Sequence, residues 1–146
     1  MSSSRLIEEF DYHDFHLRGF TVQDYGQSII LDLTSGFEPK RVTILEFSGV
    51  VSYRFLHTGG AIITYILEVP FMDAVRETGA DFPQEFREHG GLSVDFKSNE
   101  EYGTYFENEG FHTWLIHSAI GFIGMVVGRG LGSAQAEQDA AVKVQD

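Results

Sequence analysis

The chain has 146 residues, 22 of them acidic and 10 basic, for a formal net charge of −12. Hydrophobic residues make up 42% and charged residues 22%, which excludes wholesale disorder and leaves length enough for one domain with its own core. So acidic a surface repels phosphate backbones, so nucleic acid is not an expected partner, and the absence of cysteine removes disulfides and thiolate metal sites.

The N-terminus, MSSSRLIEEF, carries no apolar run of signal-peptide length, so a cytoplasmic location is expected. Phe15 to Asp24 reads as a first strand with a parity slip: Phe15 and Leu17 face one way, Phe20 and Val22 continue on the other parity, and a β-bulge at Gly19 would realign them. After a turn at Tyr25-Gly26-Gln27, Ser28 to Thr34 alternates, with Ile29, Leu31 and Leu33 inward and Ser28 and Asp32 outward. From Thr43 to Phe55 the odd positions read Thr, Leu, Phe, Gly, Val, Tyr, Phe. From Ala61 to Val69 they are apolar again, which predicts two strands sharing one apolar face, joined by a tight hairpin at Gly59-Gly60.

Beyond Val69 the periodicity changes. Pro70 can open a helix that Gly79 ends, and Asp81 to Gly90 repeats the pattern with Phe82 and Phe86 at i,i+4. Leu92, Val94 and Phe96 alternate with polar residues and predict a further strand, and the aromatic piece Tyr102 to Phe106 is flanked by acidic clusters. Phe111 to Gly128 contains no charged residue. Its continuous apolar part, Ala119 to Val127, is too short to cross about 30 Å of hydrocarbon at about 1.5 Å per residue, so two strands, Phe111–His117 and Ile120–Val127, are predicted as a buried hairpin. The last residues, from Ser133, are Ala/Gln-rich. The predicted organisation is therefore one β-rich domain over residues 1–132 and a flexible or weakly helical tail over 133–146. The fold class is α+β: a predominantly antiparallel, curved sheet of about seven strands in meanders and hairpins, with one or two short helices.

Little catalytic vocabulary is present. His13 and His16 would point to opposite faces of a strand, as would His112 and His117, so neither pair supports a metal assignment, and no cofactor is predicted. His57-Thr58-Gly59-Gly60 and Gly128-Arg129-Gly130-Leu131-Gly132 lack phosphate-loop spacing, and there is no GxSxG elbow. No catalytic residue is assigned, which leans against an enzyme.

Three segments carry a family resemblance. Tyr12-His13-Asp14-Phe15-His16-Leu17, the strand Val42–Val50 with the following Ile63–Glu68, and Ser118-Ala119-Ile120-Gly121-Phe122-Ile123-Gly124 resemble small bacterial immunity proteins of polymorphic toxins, the immunity protein 50-like sequences. The resemblance spans Tyr12 to Leu131 and implies a bacterial, noncatalytic, immunity-like protein-binding module whose partner is a basic toxin domain.

The acidic patch on offer for such a partner comprises Glu100, Glu101, Glu107 and Glu109 with Tyr102 and Tyr105. The alternative is a small-ligand-binding protein or enzyme with a pocket at the open end of the sheet, lined by His57, Tyr65, His112 and Trp114. No membrane association is expected, and the uncharged Phe111–Gly128 segment makes a homo-oligomer a third option.

Overall fold

Alternating side chains set Ile29, Leu31 and Leu33 of one strand directly opposite Phe47, Leu45 and Thr43 of the next, and all six are buried. The computed structural model describes residues 5–6, 15–35, 41–90, 92 and 94–137. Those residues form β1 (Arg5–Leu6), β2 (Phe15–Gln23), β3 (Ser28–Ser35), β4 (Arg41–Ser48), β5 (Ser52–Glu68), α1 (Phe71–Thr78), α2 (Phe82–His89), α3 (Asn99–Asn108), β6 (His112–Gly128) and β7 (Gly130–Glu137). The chain is thus α+β and predominantly antiparallel sheet, in the order β1-β5-β2-β3-β4-β7 with β6 beside β5.

A bent ribbon is the backbone of this sheet. β4 passes into β5 at Gly49–Val51 and β6 into β7 at Arg129, and the two bent strands pair from Arg41 opposite Glu137 to Glu68 opposite Trp114. At the corner the Val51 N–H donates to the Val127 carbonyl and the Arg129 N–H to the Ser48 carbonyl, each at 2.9 Å, so hydrogen bonding continues through the bend. Gly49 suits this corner twice over: its φ is +58°, and a Cβ there would lie 2.9 Å from Arg129 Cβ. Phe15 and His16 of β2 then pair with β3 on one side and with Ile63 and Ile62 of β5 on the other, curling the sheet around its apolar face.

Two cores result. The inner one joins Phe15, Leu31, Leu45, Ile66, Trp114 and Phe122. The outer one packs Phe71, Phe82, Tyr102 and Phe106 of the helices against Leu115 and Val127 of the ribbon's reverse face. Burying one such side chain contributes about 1.5–3 kcal/mol, so β6, apolar on both faces, is fixed from two sides. That double burial is the physical reason for its charge-free sequence. No helix among the described residues is long and apolar enough to cross a membrane.

The predicted bulge in β2 is present, with Arg18 as the extra residue between Leu17 and Gly19, and the Asp24–Gly26 turn joins β2 to β3. Both proline-led helices form as well: Gly79 caps α1 in the left-handed conformation, and Asp81 caps α2 by accepting from the Gln84 N–H at 3.2 Å.

Other expectations are corrected. Ser52–Glu68 is one strand, so Gly59-Gly60 makes no hairpin turn. Likewise His112–Gly128 is one strand, because β5 supplies it with a partner of equal length. Leu92, Val94 and Phe96 pack on the outer core without strand pairing, while the acid-flanked aromatic piece is the helix α3. Ser133 to Glu137, placed by sequence in the tail, belongs to β7 because β4 offers it an unpaired edge; residues 138–146 lie outside the described residues.

Candidate binding cleft at the ribbon corner

The β2–β3 turn is the most strained backbone among the described residues. Asp24 and Tyr25 take φ of 53° and 57°, ahead of Gly26 at 90°. A left-handed conformation costs a non-glycine residue about 1–2 kcal/mol, and it persists only where its surroundings impose it. Here the Gln27 N–H donates to the Asp24 carbonyl at 3.1 Å, and the Val50 N–H donates to the Gln27 carbonyl at 2.9 Å, pinning the turn to the ribbon corner. The outcome is a fully exposed Tyr25.

Beside it the inner face of the sheet reaches solvent. β2 pairs with β5 only at Phe15 and His16, and beyond that point Phe20, Val22 and Tyr53 are each more than a third exposed. Phe55 links this opening to the core, edge-on to Phe20 at 5.0 Å and tilted against Tyr53 at 5.3 Å and Phe122 at 5.1 Å. Gly124 leaves room for that ring, since a Cβ there would stand 2.6 Å from Phe55.

Between the turn, the corner and α2 lies a cleft of about 800 Å³. Tyr25, Tyr53, Phe86 and Phe111 supply apolar walls, and Glu85, His89 and Arg129 supply charge or hydrogen-bonding capacity. Glu85 is engaged: its Oε2 accepts from Arg54 Nη1 at 3.1 Å and from the Asp81 N–H at 3.0 Å. Arg129 lies with its guanidinium carbon 4.1 Å from the Phe111 ring centroid.

The residues expected to line one pocket are not brought together. Trp114 is 4% exposed, against Phe47 in the inner core, with His112 beside it and the His112 Nδ1 hydrogen-bonded to Glu68 Oε2, the carboxylate accepting, at 3.0 Å. Tyr65 lies on the opposite face of the ribbon, stacked on His117 at 4.8 Å and 6°. The bulge at Thr64 causes the separation by reversing the parity of β5. The side chain of His57 lies outside the described residues. Among the described residues no three His, Asp or Glu side chains gather as a metal site.

The acidic set also divides. Glu100, Glu101, Glu107 and Glu109 are exposed on or next to α3, and Tyr105 is half-buried beside Phe96. Tyr102 is 0% exposed; its hydroxyl accepts from the Phe96 N–H at 3.3 Å, so it belongs to the core and offers no surface to a partner. Sequence reasoning missed Tyr25, Tyr53, Phe86 and Arg129, which come from separate segments. The one available signal was Asp24-Tyr25-Gly26, a turn with a bulky residue where glycine or asparagine is usual.

No family model matches the chain, and no curated protein matches it. Among solved structures it is similar to the crystal structure of an uncharacterized protein from Neisseria gonorrhoeae, at 10% identity and a TM-score of 0.48, covering 91% of this chain and 96% of that one.

Proposed function

We propose that this chain is a noncatalytic protein-binding module, immunity-like in role, that recognises a basic protein domain at the ribbon corner. The observation that carries this reading is the fully exposed Tyr25, held in a costly backbone conformation next to Phe20, Val22 and Tyr53. Large, rigid aromatic side chains at low entropic cost are the common anchors of protein interfaces, and strain at an exposed residue points to a role outside folding. The acidic end of α3 borders the cleft, because the Glu109 carbonyl accepts from Arg129. Glu107 and Glu109, with Glu100 and Glu101 one to two turns away, would then speed encounter with a cationic surface.

The test uses the purified product of the adjacent open reading frame, titrated calorimetrically against this protein. Expected is a 1:1 complex of Kd about 1 μM or tighter. The Tyr25→Ala/Tyr53→Ala pair should weaken it at least about tenfold, and Glu107→Lys/Glu109→Lys should slow association and flatten its salt dependence. Absence of a complex ends the immunity-like reading, and a complex indifferent to both variants ends the assignment of the surface.

A further inference from the structure

Arg129 lines the cleft, and the protein-binding reading makes no use of its guanidinium. Its stem crosses Gly49, its guanidinium rests on Phe111, and Nη1 donates to the Glu109 carbonyl at 2.8 Å. A guanidinium has five N–H donors, and this arrangement occupies one of them in a fixed orientation. No carboxylate among the described residues lies within ion-pair distance of it, although the chain carries 22 acidic side chains. The acid that shares the cleft, Glu85, is held by Arg54 instead.

We propose that the cleft binds a carboxylate carried on an apolar or aromatic body. The free edge of the Arg129 fork takes the two oxygens, and Phe86, Tyr53 and Phe111 take the body. The volume of about 800 Å³ lies within the range of small-molecule sites. A singly charged anion is favoured over a phosphate dianion, because the net charge of −12 and the nearby Glu85 oppose a second negative charge. Both a free small acid and the C-terminus of an apolar peptide present this chemistry. The site goes beyond the protein-binding reading, and a small acid occupies it with no second protein present, so either reading can fail alone.

The test titrates the unaltered protein, followed by amide NMR shifts, with phenylacetate, phenylacetamide and phenylphosphonate. Expected are shifts at Arg129, Tyr53 and Phe86 with phenylacetate and at least about tenfold weaker binding of the neutral amide and of the phosphonate. Equal binding of acid and amide, tighter binding of the phosphonate, or no shift from phenylacetate at millimolar concentration overturns the proposal. Arg129→Gln should remove the preference for acid over amide, Arg129→Lys should retain part of it, and Phe86→Ala should weaken acid and amide alike. A peptide ending in Phe, compared with its C-terminal amide, separates the sources. Tighter binding of the free-acid peptide than of phenylacetate identifies a chain terminus, and the reverse identifies a small acid.

Discussion

Arg54, on the helix-facing side of β5, donates through Nη1 to Glu85 Oε2 at 3.1 Å and through Nε to the Thr78 carbonyl at 3.2 Å. One side chain of the sheet thereby joins the end of α1 to the first turn of α2. Arg54 and Glu85 are each about a third exposed, so screening trims the gain, and Arg54→Met, which keeps the apolar stem, is expected to cost about 1–2 kcal/mol. Urea unfolding should show the midpoint lowered with an unchanged slope. A loss below a few tenths of a kcal/mol would mean that the helices are held by their apolar contacts alone.

Tyr25→Gly is expected to move stability and binding in opposite directions. Glycine adopts φ of 57° without the left-handed penalty but loses more entropy on folding, leaving a net stabilisation of about 0.5–1 kcal/mol. The same change deletes the exposed ring proposed as the anchor for a partner. A variant that is less stable than the parent would show that the ring, and not the backbone, supports the turn.

Gly103 reverses an ordinary rule. Glycine to alanine inside a helix normally stabilises by about 1 kcal/mol, yet a Cβ on Gly103 of α3 would lie 2.7 Å from Phe71 Cδ2. Phe71 is 3% exposed and wedged between Phe82 and Phe106, so its ring cannot swing away. Overpacking costs about 1–3 kcal/mol, and Gly103→Ala should be destabilising by about 1 kcal/mol net. In a Phe71→Leu background the same substitution should become neutral or stabilising, a coupling that a double-mutant cycle measures.

Truncation after Gly132 tests the domain limit. It strips Arg41 to Leu45 of their β7 partners and leaves that part of β4 as a bare edge. The expected outcome is a lowered unfolding midpoint and concentration-dependent association by light scattering. A monodisperse product of unchanged stability would return Ser133–Glu137 to the status of a tail.

The first strands were legible because β2, β3 and β4 bury one face each, and a half-buried strand writes its geometry as alternation; even the Arg18 bulge left a parity slip at Gly19. Further along, burial on both faces erased that record. In β5 and β6 apolar residues serve the inner core or the outer one, so Gly59-Gly60 and Ser118-Ala119 read as turns where the structure has irregular pairing within continuous strands. α3 had a signature that the acidic run obscured: the Ser98 hydroxyl accepts from the Glu101 N–H, Glu101 Oε1 accepts from the Lys97 N–H, and Tyr102 and Phe106 share one face. The cleft was illegible for another reason. Its residues meet only through the corner and the helix insertion, and no local pattern encodes that meeting.

Thr64 has a consequence for how such a chain tolerates length changes. It is the unpaired residue between Ile63 and Tyr65 of β5. A chain shortened by this residue would close the bulge, setting Ile63 and Tyr65 as consecutive residues opposite Ser118 and His117, and Leu67 and Val69 would stay against the helices. Point substitutions and a single-residue deletion at Thr64 should therefore both be mild, because every paired residue of β5 keeps its face.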